Sequence, residues 1–300
     1  MTPGSGVVAR GRIALCYVWR HRRLPNLAAP TRLTELVQLR KLTNRDPRLP
    51  ALADKVAVKA HVARELGREW VIPLLWSGAE LPAQPLIAGP VVVKSRHGCN
   101  QTAFVRDPGR DWAAARSASA RWMRAAYGRW LDEWLYSEIP RGLLIEPLIG
   151  GGALPIDYKV FVFGGFATHV EVHLDRERNH RWYVHDRGWR PLAADTPAIP
   201  RPTRLPAMLS AAEHLAAGFD FARVDFYQPD RQPLFGEISF YPGSGLEPID
   251  PPELDRAWGQ LWLAASAKAA AREPSRFRGG RGAVLPTRPD SALGGGPPRA

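Results

Sequence analysis

Asp225 and Glu237 are the two side chains whose spacing in this sequence most directly indicates chemistry. They lie in two predicted strands, Ala222–Tyr227 and Pro233–Phe240, and a hairpin centred on Arg231 places them opposite each other, roughly 5 Å apart at Cβ. Two carboxylates so placed repel each other unless a cation lies between them. Their oxygens suit Mg²⁺, which shares its remaining positions with water and substrate phosphates. The alternative interpretation is a solvated hairpin face with two unrelated acidic residues.

The same hairpin has one polar and one apolar face, because side chains alternate along a strand. Arg223 and Ser239 share the polar face with the two acidic residues. Val224, Phe226 and Ile238 lie on the other face, which we expect to belong to a core.

Lysine is rare in this chain, so its position within predicted strands is informative. Only six of the 41 basic residues are Lys. Lys94 ends the apolar strand 91–94, just before a turn that contains His97 and Gly98. An ammonium group beside the N–H groups of a turn suits a phosphate. Lys159 lies on a strand of the predicted hairpin 156–173, among aromatic residues. The alternative for Lys94 is a solvated side chain at a strand end.

Glu146 lies inside an otherwise apolar predicted strand, 143–149. A buried carboxylate is costly unless it is paired or bound to a ligand. The next residue, Pro147, indicates an edge or an interrupted ladder, where a planar ligand could use free backbone groups.

The rest of the pattern predicts helices at 31–42, 54–66 and 207–217 and a strand at 70–75.

The positive charge of the chain is concentrated at its ends. Of the formal net charge of +12, residues 1–70 contribute +9 and residues 272–300 contribute +4, which leaves −1 for 71–271. A nucleic-acid groove through the body would need a basic stripe there, so no specific nucleic-acid partner is expected. The ends could still be attracted loosely to an anionic surface.

Cys16 and Cys99 are too few for a disulfide framework and show no metal spacing, so we expect a reducing, cytoplasmic setting. No stretch has the apolar length of a signal peptide or transmembrane span, so any membrane association would be peripheral.

The order of these parts resembles the TupA-like ATP-grasp family, which is found in bacterial cell-surface polymer biosynthesis. The resemblance runs from about Pro30 to Gly259. It is carried by these segments: Pro30-Thr31 with Glu35, Asp54-Lys55, Val92-Val93-Lys94 with His97-Gly98, Asp157-Tyr158-Lys159-Val160-Phe161, Val224-Asp225-Phe226-Tyr227 and Phe235-Gly236-Glu237-Ile238-Ser239-Phe240-Tyr241-Pro242-Gly243-Ser244-Gly245.

The resemblance implies an α+β, ATP-grasp fold, in which two α+β lobes with antiparallel sheets grip a nucleotide between them. The corresponding domains would be a basic segment at 1–29, an ATP-grasp domain at 30–272 and a disordered basic tail at 273–300, rich in Gly, Pro and Arg. Within the domain, the small lobe would span about 70–145 and the C-terminal lobe about 146–272.

The resemblance also implies a role for individual residues. Lys94 and Lys159 would contact the phosphates of ATP, and His97 with Gly98 would cover them. Glu146 and the backbone of Pro147 and Leu148 would hold the adenine. Asp225 and Glu237 would bind Mg²⁺, with Ser239 standing where many ATP-grasp enzymes have Asn as a third ligand. Arg223 would neutralise the transferred phosphoryl group or the acyl oxyanion, and Arg223 and Lys159 would be the catalytic residues.

The function that follows is an ATP-dependent carboxylate–amine ligase that forms an amide through an acyl phosphate, in cell-surface polysaccharide or peptidyl-polymer biosynthesis. Its partners would be a carboxylate and an amine, with an anionic saccharide as one possible acceptor. Two alternatives remain open at this stage. One is a transferase or kinase that acts on a saccharide with the same nucleotide site, and the other is a non-catalytic protein that binds polyanions through its basic ends.

Overall fold

The computed structural model describes residues 3–151 and 153–272, so the predicted tail at 273–300 lies outside the described residues. The helices are α1 Pro3–His21, α2 Leu33–Thr43, α3 Arg48–Ala53, α4 Ala57–Leu66, α5 Pro108–Arg124, α6 Trp134–Ser137, α7 Leu205–Leu215 and α8 Pro252–Arg272. The strands are β1 Trp76–Gly78, β2 Val91–Ser95, β3 Thr102–Val105, β4 Leu143–Pro147, β5 Asp157–Phe163, β6 Phe166–Leu174, β7 Arg181–Asp186, β8 Phe221–Tyr227 and β9 Leu234–Ser239.

The first sheet has four antiparallel strands in the order β1-β4-β2-β3. The β-branched run at Val91–Val93 favours the central strand β2. One face of this sheet packs against α5 through a small core that includes Trp112 and Ile145. The other face carries Lys94 and Glu146, so the alternation along β2 and β4 presents two charged groups on the side away from α5.

The second sheet has five antiparallel strands in the order β7-β6-β5-β8-β9. The hairpin between β5 and β6 turns at Gly164 and Gly165, whose φ angles of 59° and 81° favour glycine. The apolar face of the five-stranded sheet contributes Val160, Val224 and Phe226 to the main core, where all three are fully buried. The opposite face is the polar one predicted from the hairpin of β8 and β9.

Helices α2, α4 and α8 are held in place by specific local contacts. The side chain of Asp54 accepts hydrogen bonds from the N–H of Val56 at 2.9 Å and of Ala57 at 3.3 Å, which caps the first turn of α4. At the other end of the chain α8 packs on α2, and Gly259 lies where a Cβ would come within 2.3 Å of the carbonyl oxygen of Thr31.

One expectation about the fold needs correction. The strand predicted at 70–75 is wrong, because residues 68–70 form a 3₁₀ turn and Val71 makes only an isolated bridge to Phe235. The lobe boundary predicted at about 145/146 stays a proposal, which we place after Pro147 so that β4 remains with the four-stranded sheet. Among the described residues, no helix combines the length and apolar character needed to cross a membrane.

Candidate active site

The centre of the candidate site is the carboxylate of Asp225 on β8. It is 2% exposed and accepts hydrogen bonds from Arg223 Nε at 2.7 Å, from Arg223 Nη2 at 2.7 Å and from Lys159 Nζ at 2.6 Å. Burial alone would raise the pKa of Asp225, but the two cations outweigh it and lower the pKa to about 2. Asp225 is therefore a fixed negative charge at neutral pH.

The pairing of Asp225 with Glu237 across the hairpin is confirmed by the strand register. A bulge follows this pair, so that Phe226 pairs with Phe235 and Gly236 is the extra residue. The expected repulsion between the two carboxylates needs correction, because Arg223 and Lys159 already compensate Asp225. Glu237 has weaker contacts: its side chain is 36% exposed and its Oε1 lies 3.5 Å from Arg223 Nη2.

Lys159 also connects Asp225 to a second acidic residue of the same sheet, Asp157. Lys159 Nζ donates to Asp157 Oδ2 at 2.8 Å, and Arg176 Nη1 donates to the same oxygen at 3.1 Å. The other oxygen, Asp157 Oδ1, is buried and has no hydrogen-bond partner in the described part of the chain. Burial would lower the pKa of Lys159, but Asp225 and Asp157 raise it above its usual value. Sequence reasoning missed the roles of Asp157 and Arg176.

On the opposing sheet, Glu146 lies between two lysines. Its Oε2 is 2.6 Å from Lys94 Nζ and its Oε1 is 2.6 Å from Lys59 Nζ. Burial would raise the pKa of Glu146, but the two ammonium groups lower it. The buried acid predicted in this strand is thus paired within the protein, and Lys59, which sequence reasoning did not assign, shares it with Lys94.

An apolar pocket of about 350 Å³ adjoins this ion triad. Its apolar lining comes from Ile72, Val92, Phe104, Pro147, Leu148, Ile149 and Leu154. Its volume and apolar lining suit a planar heterocycle. The predicted adenine contact needs one correction, because the N–H of Leu148 donates to the carbonyl of Pro90 at 3.1 Å. The backbone contact at Leu148 is therefore restricted to its carbonyl while that bond is kept.

The predicted phosphate-covering role of His97 does not agree with its position. Its side chain is buried, and Nδ1 accepts a hydrogen bond at 3.4 Å from the N–H of Gly142, which directly precedes β4. Burial lowers the pKa of His97, which disfavours the charged ring that would attract a phosphate. Gly98 is tightly packed, because a Cβ there would lie 2.5 Å from Gln101 Oε1 and 2.9 Å from Tyr127 Cδ2. The loop instead presents its next residues, Cys99 and Asn100, to the cleft.

A central chamber of about 180 Å³ lies between the two sheets and joins the elements described so far. Four of the six lysines of the chain line it: Lys55, Lys59, Lys94 and Lys159. With Arg176 they face the carboxylates of Glu146, Asp157, Asp225 and Glu237, which leaves an excess of one positive charge. A chamber lined by five cations suits a polyphosphate. The scarcity of lysine was the sequence signal that could have identified Lys55 and Lys59.

An outer chamber of about 430 Å³ continues from the central chamber past Glu237. Its lining includes Glu133, Glu171, His173, Ser239 and Ser244. Glu171 Oε1 contacts His173 Nε2, and His173 Nδ1 lies 2.7 Å from His180 Nε2. The free thiol of Cys99 also lines this chamber, but burial raises its pKa, which disfavours a nucleophilic thiolate.

The donor set at the junction of these chambers fits Mg²⁺ when a phosphate supplies further oxygens. Among residues 3–151 and 153–272, no cluster of three or more His, Cys, Asp or Glu side chains could hold a metal by itself. Mg²⁺ is commonly bound by one or two carboxylates plus substrate phosphates, and Asp225 and Glu237 supply such a pair. Ser239 lies on the same face, directly opposite Arg223. Asp225 Oδ2 accepts from Arg223 and Lys159, whereas Oδ1 accepts only from Arg223 Nε, so Oδ1 keeps a lone pair for a metal ion.

Comparison with solved structures finds several ATP-dependent ligases at low identity. The D-alanine–D-alanine ligase from Bacillus anthracis has 15% identity, a TM-score of 0.45 and coverage of 74% of this chain and 67% of that chain. The same enzyme from Helicobacter pylori has 15% identity, a TM-score of 0.43 and coverage of 75% and 60%. D-Cycloserine synthetase DcsG has 16% identity, a TM-score of 0.41 and coverage of 84% and 80%. The chain thus spans about two thirds of the length of the D-alanine–D-alanine ligases.

No curated protein matches the chain. Since the TM-scores above are all below 0.5, assignment to a family depends on the sequence model. The α+β architecture, with four-stranded and five-stranded antiparallel sheets on either side of a charged cleft, agrees with the fold expected from the resemblance. A family model described as TupA-like ATP-grasp matches residues 35–263, which is most of the chain, and the protein therefore belongs to the TupA-like ATP-grasp family.

Proposed function

We propose that this ATP-grasp ligase joins a carboxylate to an amine at the expense of ATP, through an acyl-phosphate intermediate. The observation that carries the proposal is the central chamber. It gathers four of the six lysines between an apolar pocket on one side and Asp225 with Glu237 on the other. A nucleotide has the same succession of groups: a planar base, a polyphosphate and a metal-bound end.

In this arrangement the base of ATP occupies the apolar pocket beside Pro147 and Leu148. The phosphates extend into the central chamber towards Lys94, Lys59 and Lys159. These lysines are held by carboxylates within the protein, so their ammonium groups are already oriented before the nucleotide arrives. Such preorganised charge favours the transition state, because little reorganisation remains at the moment of reaction.

The first chemical step transfers the γ-phosphoryl group of ATP to the carboxylate. A carboxylate oxygen forms the new bond to the γ-phosphorus, and the bond to the ADP oxygen breaks. Arg223 and Lys159 stabilise the negative charge that spreads over the transferred group, since both are buried and cationic. Asp225 and Glu237 would hold Mg²⁺, which would neutralise phosphate charge when bound.

The second step takes place at the carbonyl carbon of the acyl phosphate. The amine nitrogen attacks this carbon, the phosphate leaves with the electron pair of the C–O bond, and the nitrogen gives one proton to the departing phosphate to leave the amide. We assign the acceptor to the outer chamber, because it opens directly from Glu237 and is lined by Glu133 and Glu171, which can bind an ammonium or hydroxyl group.

We place the product in a cell-surface polysaccharide or peptidyl polymer, and family membership is the only support for this choice of pathway. We also propose a cytoplasmic site of action, supported by the dependence on ATP and by the two free cysteines, Cys16 and Cys99.

A thermal-shift experiment with ATP, ADP and GTP, each with and without Mg²⁺, tests the nucleotide assignment. A ligand present at about 100 times its Kd stabilises the folded state by roughly 2.7 kcal/mol, which corresponds to a shift of roughly 5–10 °C for a domain of this size. The Lys94→Ala variant should lose most of this shift. Lys268→Ala, at an exposed position of α8, should keep it and serves as the matched control.

The absence of any nucleotide shift in the native protein would overturn the proposal. If heparin or nucleic acid stabilises the protein instead, with a steep dependence on salt, the polyanion-binding alternative is favoured.

A further inference from the structure

Helix α1 carries an apolar stripe that faces solvent. Val7, Val8, Leu15 and Trp19 are 72%, 64%, 72% and 64% exposed. At 100° per residue these four side chains occupy one third of the helix circumference. A set of exposed large apolar residues on one helix face is unusual, because scattered exposed apolar residues are normal but continuous patches mark interaction surfaces.

The opposite face of α1 packs against the rest of the protein. Ala9, Ile13 and Tyr17 are buried, and Tyr17 Oη lies 2.8 Å from Thr34 Oγ1. Arg12 bonds to Asp132 beside the 3₁₀ turn 129–131, which packs against α1. This turn also exposes Trp130, which is 60% accessible. The helix is therefore docked on the body of the protein by one face, and none of the described residues covers its other face.

The charge around the stripe identifies the kind of partner. Residues 1–29 contain five arginines and no acidic residue. Arg12 and Arg23 are paired with acidic residues, whereas Arg10, Arg20 and Arg22 form no ion pair within the described part of the chain. An apolar stripe bordered by unpaired arginines complements an anionic lipid surface, where the apolar side chains enter the boundary of the acyl chains and the arginines meet the headgroups.

We propose that α1 is an in-plane docking helix for an anionic membrane surface, inserted through Val7, Val8, Leu15 and Trp19. This proposal does not depend on the proposed ligase reaction. It does connect the docking helix to the outer chamber, because the end of α1 is bonded to the loop that lines this chamber. His21 Nε2 lies 3.1 Å from the carbonyl of Gly245, and Arg20 Nε donates to the carbonyl of Leu246 at 3.1 Å.

Vesicle co-sedimentation with the full chain tests the proposal. The protein should bind vesicles in which about a third of the lipids are phosphatidylglycerol, bind pure phosphatidylcholine much more weakly, and be released by high salt. The double variant Leu15→Glu/Trp19→Glu should reduce the partition coefficient at least about tenfold. Replacing Arg22 with Ser should reduce it by about fivefold, as expected for the loss of one basic residue near the surface.

The matched control is Leu86→Glu/Leu192→Glu, which changes two exposed leucines outside α1 and should leave vesicle binding unchanged. All variants should keep the melting temperature of the native protein, since the altered side chains point to solvent. Vesicle binding that persists in Leu15→Glu/Trp19→Glu would overturn the proposal and indicate another basic region. A lipid-independent dimer that this variant dissociates, observed by light scattering, would instead identify a second copy of the chain as the partner.

Discussion

Replacing Asp225 by Asn should destabilise the protein, although removal of a carboxylate from an acidic pair is often expected to relieve repulsion. Asp225 is 2% exposed and accepts three charge-assisted hydrogen bonds from Arg223 and Lys159. Asn keeps one acceptor oxygen and turns an NH₂ group towards a cation. The buried cations then lose their compensating charge.

The magnitude follows from the structure. Lowering the pKa of Asp225 from 3.8 to about 2 corresponds to about 2 kcal/mol of stability at neutral pH. Leaving one side of a buried ion pair uncompensated raises the cost towards about 4 kcal/mol. For a domain of this size we expect a fall in melting temperature of roughly 5–15 °C.

The pH dependence of this loss has a defined sign. A carboxylate whose folded pKa is depressed contributes stability in full above its unfolded pKa, and that contribution disappears as the pH falls through the folded pKa. The difference in stability between the native protein and Asp225→Asn should therefore be constant above about pH 5 and shrink between about pH 4 and pH 2. Urea unfolding at a series of pH values measures it.

Glu237→Gln is the matched variant on the facing strand. Because Glu237 is 36% exposed and has a single contact at 3.5 Å, its replacement should change stability by less than about 1 kcal/mol. Both variants should lose Mg²⁺-dependent ADP release. An Asp225→Asn variant that melts at or above the native temperature and still releases ADP would refute the electrostatic reasoning and the assignment of the metal site together.

Two further predictions concern the loop after β2 and the contact between α2 and α8. His97→Gln should leave the Kd of Mg·ATP within about twofold of the native value, whereas Lys94→Ala should raise it at least about tenfold. Calorimetry measures both. Equal effects of the two changes would contradict the position of His97 away from the cleft. Gly259→Ala should lower the free energy of unfolding by about 2–4 kcal/mol, because its Cβ would lie 2.3 Å from the backbone oxygen of Thr31 and backbone yields less than a side chain. A melting temperature equal to that of the native protein would contradict this packing.

Several features of the site could be predicted from sequence because they depend on local pattern. The opposition of Asp225 and Glu237 was predicted from a hairpin centred on Arg231. The observed turn pairs Tyr227 with Leu234, and the bulge at Gly236 restores the predicted pair. The burial of Glu146 follows from its apolar neighbours, and the strand at Val91–Val93 follows from β-branched side chains. The order of motifs from Pro30 to Gly259 was enough to identify the family.

Other expectations failed because the position of the residue depends on a contact with a distant part of the chain. The loop at His97 looked like a phosphate cover from its composition. Its side chain instead turns towards Gly142, because the antiparallel pairing of β2 with β4 brings the start of β4 beside that loop. Fewer backbone groups near Pro147 are free than expected, because the N–H of Leu148 donates to the carbonyl of Pro90, which is distant in sequence.

The sequence by itself determined the family, the charged face of each strand and the neutral balance of residues 71–271. Only the tertiary structure decided which charges meet. Lys159 is 66 residues from Asp225, and Lys59 is far from Glu146 in the chain, yet each pair lies 2.6 Å apart. Local patterns specify which face a side chain occupies, but the pairing of distant strands and the docking of α4 specify what it faces. Lys55 and Lys59 belong to the basic residues 1–70, and the fold brings them to a cleft whose acidic residues all come from the nearly neutral residues 71–271.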